Sequence, residues 1–317
     1  MYWQKERMNF GSSRSLMADE GCSLCGKPPV ARLIDPERRL CAEHFVEDCA
    51  ARVKAGIMEA GLLAPGDRIA VGLSGGKDST LLLILLHGIV SSCTGVHLIA
   101  ITVDEGIAGY REETVAAAVD LTTRLGIEHR IVSFSDLFGA DLDVLLSDRE
   151  AEACTVCGVL RRRALAVAAA EMGATHIATG HNLDDEAQSV LMNVLRGDLS
   201  KLLLDTSEGL PDCFIPRIKP LSVLSEKEIT TYLLVSGAYT DLPECPYAGG
   251  ALRGEVRGML ADLEFRYPGT RWRLIRSRDQ VRNLLAEEVS QGVLQRCVRC
   301  GEVSSGELCS VCRVLGR

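Results

Sequence analysis

Residues Ser74-Gly75-Gly76-Lys77-Asp78-Ser79 decide the fold. They follow the β-prone run Asp67-Arg68-Ile69-Ala70-Val71-Gly72-Leu73 and open an apolar stretch from Thr80 to Leu86, so strand, glycine turn and helix come in succession. In such a unit the first N–H groups of the helix lack backbone partners and point into the turn, where they attract an anion. Two adjacent glycines let the main chain approach phosphate closely, Ser74, Ser79 and Thr80 add hydroxyls, and Lys77 adds a charge. The stretch predicts a nucleotide-binding loop.

The usual phosphate loop, G-x-x-x-x-G-K-[ST], needs Ser or Thr directly after the lysine, and here Asp78 takes that place. A carboxylate beside phosphate is repulsive unless a cation lies between them, so Asp78 is a candidate Mg²⁺ ligand. The stretch resembles the PP-loop, SGGxDS, of the ATP pyrophosphatases, which cleave ATP between the α and β phosphates and adenylate a carbonyl oxygen.

Strands alternate with helices on both sides of this loop. Val96 to Val103 reads as a strand ending at Asp104-Glu105-Gly106, Arg111 to Leu125 as a helix, Glu128 to Phe134 as a strand, and Thr175 to Thr179 as another. This order predicts a parallel, doubly wound α/β sheet whose crevice, outside the carboxyl ends of the strands, holds Ser74, Val103 and Asp104 together. The last of these strands runs into Gly180-His181-Asn182-Leu183-Asp184-Asp185-Glu186-Ala187-Gln188, where Asp184 and Asp185 begin a helix. A carboxylate there suits Mg²⁺ or base chemistry, N-capping by Asp184 is compatible with either, and His181 reads equally well as a turn residue. Phe214 to Pro220 reads as a short edge strand, and Ser225 with Glu228 as a capping box for a helix to Val235.

The chain of 317 residues, 47% hydrophobic, is long enough for one full core plus small modules. No apolar run approaches the roughly 20 residues of a membrane helix, and the polar start from Met1 to Glu20 has no signal-peptide core, so a soluble cytoplasmic protein is expected. Thirteen cysteines are unusual, and most fall in C-x-x-C or C-x-x-H pairs, which in a reducing compartment point to metal. Cys22, Cys25, Cys41 and His44 form a four-ligand set with structural Zn²⁺ spacing, followed by a helix from about Phe45 to Ala60. Cys297, Cys300, Cys309 and Cys312 form a second set, a compact zinc ribbon. Cys49, Cys93 and Cys213 stand alone and are expected in cores.

Cys154-Thr155-Val156-Cys157-Gly158-Val159-Leu160-Arg161-Arg162-Arg163 precedes an Ala-rich helix to Met172 and supplies only two thiols. The nearest unpaired partner is Cys245, in Asp241-Leu242-Pro243-Glu244-Cys245-Pro246-Tyr247. Three cysteines are too few for a closed zinc site but can hold a [4Fe–4S] cluster with one iron open. Core cysteines and a redox or persulfide-carrying pair, with pKa values lowered by a helix start and three arginines, are the alternatives.

The net charge of -8 is uneven. From Ala251 onward the chain carries 12 arginines and no lysine against 8 acids, so this end is +4 and the rest -12. Helices over Gly249 to Leu263 and Ser277 to Glu288 flank Arg266 to Arg278, where Tyr267 and Trp272 interleave with five arginines. Such a face suits RNA, with a solvated arginine-rich helix as the alternative.

With these motifs in order, the chain resembles the tRNA 2-thiolation enzymes of the TtuA and cytosolic thiouridylase type, within the TtcA-like group. The resemblance rests on SGGKDS, CTVCGVLRRR, GHNLDDEAQ, PECPY and both zinc modules, and runs from Cys22 to Cys312. It implies a PP-loop, HUP-like sheet flanked by two zinc modules. The chain then divides into an extension (1–20), a zinc module with its helix (21–60), a catalytic domain (61–248), a basic helical segment (249–294) and a zinc ribbon (295–317).

The resemblance further implies that Cys154, Cys157 and Cys245 hold a [4Fe–4S] cluster whose free iron binds a sulfur atom. ATP would meet Leu73, Ser74, Gly75, Gly76, Ser79, Val103, Arg161 and Gly180 beside Lys77 and Asp78, and Asp185 would assist catalysis. Some members carry Lys in place of Arg161, and Arg contacts phosphate but donates no proton. Adenylation turns a poor leaving group, O2 of uridine or ribothymidine, into AMP. The implied partners are tRNA, a ubiquitin-like thiocarboxylated sulfur carrier and a second copy of the chain in a homodimer. A PP-loop amidotransferase or ligase, a thiolase using a cysteine persulfide without a cluster, and a non-catalytic zinc-ribbon RNA-binding protein are the competing readings.

Overall fold

The computed structural model describes residues 21–34, 36–147, 149–198, 201–202, 214–248, 252–285, 295–304 and 306–316. The extension before residue 21 and Cys213 lie outside them. In chain order the strands are β1 (Ala31–Ile34), β2 (Glu37–Leu40), β3 (Arg68–Gly72), β4 (His97–Asp104), β5 (Glu128–Ser133), β6 (His176–Ala178), β7 (Arg217–Ile218), β8 (Gln295–Arg296) and β9 (Val303–Ser304). The helices are α1 (Ala42–Glu59), α2 (Lys77–Val90), α3 (Arg111–Leu125), α4 (Phe134–Phe138), α5 (Leu142–Leu146), α6 (Ala153–Glu171), α7 (Leu183–Leu195), α8 (Glu226–Val235), α9 (Leu252–Arg266), α10 (Thr270–Leu284) and α11 (Ser310–Val314).

The central sheet runs β5-β4-β3-β6-β7 with every pair parallel. The strand order reverses between β3 and β6, which is where a doubly wound sheet opens its crevice. Strand alternation builds the two layers. Ile69, Val71 and Leu73 face a core shared with α1, α2, α3 and α8, whereas Ala70, Ile99, Ile101 and Val103 face one shared with α4, α5 and α6. Both faces are apolar because both are covered, as in other parallel sheets.

Three local expectations need correction. The C-x-x-C segment does not precede α6 but forms its first turns, since the helix begins at Ala153. Asn182, not Asp184, caps α7: its side chain accepts from the Asp185 N–H, and Asp185 returns a bond to the Asn182 N–H. The basic segment folds as α9 and α10, so Trp272 and four of the five arginines lie inside α10 rather than between the two expected helices. The α9–α10 hairpin packs on α7, with Val256 and Leu260 of α9 buried against Ala187 and Met192. By contrast, Ser225 and Glu228 form the expected capping box, and Cys49 is fully buried with Cys93 packed beside its core. Among the described residues, no helix is long and apolar enough to cross a membrane.

Candidate functional site

The glycine turn between β3 and α2 is held open from behind. Leu73 donates its N–H to Ile101, and its carbonyl accepts from Thr102 Oγ1 at 2.7 Å, tying the strand end to β4. Within the turn, the Ser74 N–H donates to Ser79 Oγ at 3.1 Å, the Ser79 hydroxyl donates to the Gly76 carbonyl, and the Gly76 N–H donates to Ser74 Oγ. Gly76 is the N-cap of α2, and no side chain caps that helix start. Its amide groups therefore face the crevice as an anion site.

Two glycines are required by contact. Gly75 has φ +87°, and a Cβ there would lie 2.1 Å from the Thr114 carbonyl oxygen. At Gly180, after β6, a Cβ would lie 3.0 Å from the Ser79 nitrogen. The loops after β3 and β6 thus touch through bare backbone. Asn182 Nδ2 donates to Asp78 Oδ1 at 3.1 Å across the same gap. Lys77 Nζ lies 2.9 Å from Glu226 Oε1 and 3.1 Å from Asp78 Oδ2. Burial works against its charge, but these two carboxylates outweigh burial and raise its pKa. Beside the turn a cleft of about 350 Å³ is lined by Asp104, Gly106, Ile107, Ala108, Arg111 and Asp141. A larger cleft, about 750 Å³ and lined by Ile57, Val190, Arg217 and Lys219 among others, includes neither the turn nor the cysteines.

An ionic chain, buried at Glu105 and Arg111 and exposed at Arg161, leads from the turn to the cysteines. Arg111 Nη1 donates to the Ser74 carbonyl at 3.2 Å, and Nη2 donates to the Val103 carbonyl. Arg111 Nε faces Glu105 Oε2 at 2.7 Å, an ion pair whose side chains are both 5% exposed. The other Glu105 oxygen lies 3.4 Å from Arg161 Nε, and Arg161 Nη2 donates to Cys157 Sγ at 3.4 Å. In the sequence, Arg111 reads only as a helix start and Glu105 only as a strand end. A charged residue directly after an apolar strand was the available signal, but its burial depends on α3 and α6.

Cys154 is exposed, Cys157 buried and Cys245 half-buried. The Cys154 thiol donates to the Tyr247 carbonyl at 3.4 Å, and Cys245 packs against the core that contains Cys157, so the loop of Cys245 closes over the start of α6. Tyr247 anchors that loop, its hydroxyl donating to Asp143 Oδ1 at 2.8 Å. That bond and burial push the tyrosine up to about 12. The expected lowering of thiol pKa does not hold at Cys157, which burial pushes up to about 11 despite Arg161. The three thiols come from one helix start and one facing loop, but among the described residues only the two four-ligand sets gather within 4.8 Å, and these three do not form such a set.

The two four-ligand sets have tighter geometry. In each, all ligand atoms lie within 4.8 Å of one another. Cys25 and Cys41 sulfurs are 3.7 Å apart, and Cys300 and Cys309 sulfurs 3.6 Å. Zn–S bonds of about 2.3 Å around a tetrahedron place sulfurs about 3.8 Å apart, so both sets fit one zinc ion. His44 turns Nδ1 toward Cys22 and Cys41, at 3.4 Å from each. Cys41 and Cys309 are the N-caps of α1 and α11. Backbone N–H groups of Cys309 and Cys300 pull Cys297 down to about 6, while burial and its neighbouring thiols push Cys312 up to about 12. The ribbon is tied to α6 by the Arg163–Glu302 ion pair at 2.6 Å.

Three consecutive acids at the start of α7 each take an arginine from the C-terminal hairpin. Asp184 pairs with Arg271 at 2.9 Å, Asp185 with Arg253 at 3.3 Å, and Glu186 with Arg278 at 3.2 Å. Arg271 and Arg278 therefore face the α/β domain, while Arg273, Arg276, Tyr267 and Trp272 are exposed. Burial holds His181, on the loop before α7, below its ordinary pKa.

Sheet order, glycine turn and cysteine-bearing helix define an α/β nucleotide-binding protein of the PP-loop class, and residues 46–238 match the family model described as the PP-loop domain. The tRNA 2-thiolation protein NcsA of Haloferax volcanii is 37% identical over 314 residues, covering 93% of this chain and 98% of that protein. Mouse cytoplasmic tRNA 2-thiolation protein 1 is 39% identical over 306 residues, covering 93% and 71% respectively. The solved structure of the U34-tRNA thiolase NcsA from Methanococcus maripaludis with its [4Fe-4S] cluster superposes with a TM-score of 0.82 at 35% identity, covering 94% of this chain and 96% of that one. The chain belongs to the family of tRNA 2-thiolation proteins.

Proposed function

We propose that this chain is an ATP-dependent tRNA 2-thiolase that adenylates O2 of a uridine and replaces that oxygen with sulfur, in the manner of the TtuA and TtcA-like enzymes. Its [4Fe–4S] cluster, held by Cys154, Cys157 and Cys245, would supply an iron with an open position for sulfur. The observation that carries this reading is the short path from Ser74 through Arg111, Glu105 and Arg161 to Cys157. It puts the phosphate loop and the thiols at one edge of one sheet.

The chain's own residues divide the work. Ser74, Gly75, Gly76, Ser79 and the uncapped start of α2 receive the phosphates, with Lys77 as counter-charge and Asp78 on Mg²⁺. Leu73, Val103 and Gly180 shape the pocket, and the cleft beside Asp104 accepts the nucleoside. Arg161 meets the α-phosphate side and holds it near the thiols. Asp185, poised by Asn182 and Arg253, assists at the base being modified. The zinc ions of the sets led by Cys22 and Cys297 stiffen the two ends of the chain.

The tRNA approaches the exposed aromatic and arginine face of α9 and α10. A relative named for U34 favours the wobble uridine over the T-loop ribothymidine. Cytoplasmic localisation follows the naming of relatives. A thiocarboxylated ubiquitin-like sulfur donor and a homodimer complete the reading by family resemblance.

The test is anaerobic purification with a visible spectrum, then nucleoside mass spectrometry of tRNA from a deletion strain carrying either the wild-type chain or Cys245→Ala. The wild type should be coloured and restore 2-thiouridine, and the variant should bind ATP without restoring it. A colourless protein with zinc and no iron, or normal thiolation by Cys245→Ala, would sink the reading.

A further inference from the structure

Glu105 is 4% exposed, at the carboxyl end of β4, with its two carboxylate oxygens divided between two arginines. Burying a carboxylate with a guanidinium is costly to assemble, and the cost is met here only because Glu105 is held by Arg111 on the buried side and Arg161 on the open side. Each arginine reaches past Glu105 to a different part of the site. Arg111, also 4% exposed, lies under the glycine turn and binds the Ser74 and Val103 carbonyls, which orients the turn from below. Arg161, half exposed along its side chain, reaches the Cys157 sulfur from the crevice side. Without a fixed anion behind it, a long side chain on the open face of α6 has many rotamers, and its head would leave the crevice for water.

We infer that Glu105 is a positioning residue that fixes the Arg161 guanidinium between the nucleotide loop and Cys157, locking phosphate binding and the thiol site into one electrostatic unit. The inference rests on the proposed contact of Arg161 with the nucleotide. Glu105 itself is too deep to touch the nucleotide and acts only through its two arginines. The Arg111 arm keeps the anion in place by charge, and the Arg161 arm delivers the effect. An uncharged amide of the same shape would leave Arg111 anchored by its two carbonyls but would release Arg161.

A double-variant cycle in ATP affinity tests this, because binding is read without turnover. Equilibrium binding of a non-hydrolysable ATP analogue is measured for wild type, Glu105→Gln, Arg161→Gln and the pair, with thermal midpoints recorded for each. Arg161→Gln should weaken binding about tenfold. Glu105→Gln should weaken it by about tenfold or more in the wild-type background and by no more than about threefold once Arg161 is already Gln. The same factor in both backgrounds, with Arg161→Gln itself impaired, would overturn the role of Glu105 alone. Undiminished affinity in Arg161→Gln would overturn the nucleotide contact and this inference with it.

Should Glu105→Gln fail to fold, Glu105→Asp answers the same question in the same two backgrounds. The shorter acid keeps the charge beside Arg111 but cannot span to Arg161, so its affinity loss should again vanish when Arg161 is Gln. Persistence of that loss would count against the inference.

Discussion

Gly180 lies so close to Ser79 that a Cβ on the glycine would stand 3.0 Å from the Ser79 nitrogen and 3.1 Å from the Asp78 carbonyl carbon. Both neighbours are backbone at the start of α2, so relief requires the loop after β6 and the glycine turn to part. Such overpacking typically costs about 1–3 kcal/mol. Gly180→Ala should therefore weaken ATP binding about tenfold or more while the cysteine site keeps its metal. Isothermal calorimetry with ATP, beside iron analysis, checks this, and unchanged affinity would mean that the two loops are not held in register by that contact.

The PECPY loop depends on one hydroxyl. Tyr247 donates to Asp143, and Asp143 also accepts from the Ala108 N–H at 3.1 Å, which joins the Cys245 loop to the cleft beside Asp104. Tyr247→Phe removes one hydrogen bond to a charged acceptor, worth about 1.5–3 kcal/mol before solvent compensates the partly exposed groups. We expect iron content per chain to fall by about half or more after gel filtration, with ATP affinity held within about twofold. Full iron retention would show that the Cys245 loop is fixed by its prolines alone.

How much of this was legible before the structure depended on whether the signal was local. The glycine turn, the capping box at Ser225 and both zinc sets are patterns within a few residues, and each is found where the spacing put it. The cap of α7 was misread because Asp184 and Asn182 are both good N-cap residues, and only the bond from the Asp185 N–H to Asn182 decides between them. Asp184 is instead drawn to the Glu226 N–H and Arg271, contacts 42 and 87 residues away that no window of sequence contains. The same holds for the arginines of α10. Their number announced a basic face, but Arg271 and Arg278 are consumed by α7, and only the topology could say which arginines face outward.

The outward-facing residues carry a prediction about RNA. Trp272 is 40% and Tyr267 60% exposed, with Arg273 and Arg276 exposed on the same helix as Trp272. Stacking of a base on an exposed aromatic is worth about 1–3 kcal/mol. Trp272→Ala should weaken tRNA binding about fivefold to a hundredfold in a filter or anisotropy assay at fixed salt, without altering ATP affinity. Equal tRNA binding by wild type and variant would move the RNA-binding face elsewhere.

Zinc should be separable from the chemistry. The ribbon meets α6 through Arg163 and Glu302 and packs Val311 and Val314 against the core beneath the sheet. Cys309→Ser removes a thiolate ligand while leaving a hydroxyl that can still cap α11. We expect elemental analysis to fall from two zinc ions per chain to one, with ATP affinity preserved and the thermal midpoint lowered. Two zinc ions retained in the variant would show that the Cys297 set does not hold the metal.

Glu186 links the hairpin to α7, and its titration predicts how that docking depends on pH. Burial raises its pKa, but Lys219 at 2.6 Å and Arg278 at 3.2 Å outweigh burial, so the folded value lies below the ordinary 4.5. A carboxylate depressed on folding adds stability above its unfolded pKa and loses it as pH falls through the folded value. Asp184 has the opposite sign, since burial raises its pKa and protonation relieves it. His181, depressed by burial, destabilises as it gains a proton on acidification. Asp184 titrates with or without Glu186, whereas the Glu186 charge favours protonated His181, so the comparison with Glu186→Gln isolates the carboxylate only in the acid range below the histidine's titration. Wild type should exceed Glu186→Gln in thermal midpoint at neutral pH, and the gap should begin to close near pH 4.5 and shrink further in more acid solution. A gap that stays constant across that range would mean that Glu186 contributes through packing and not through its charge.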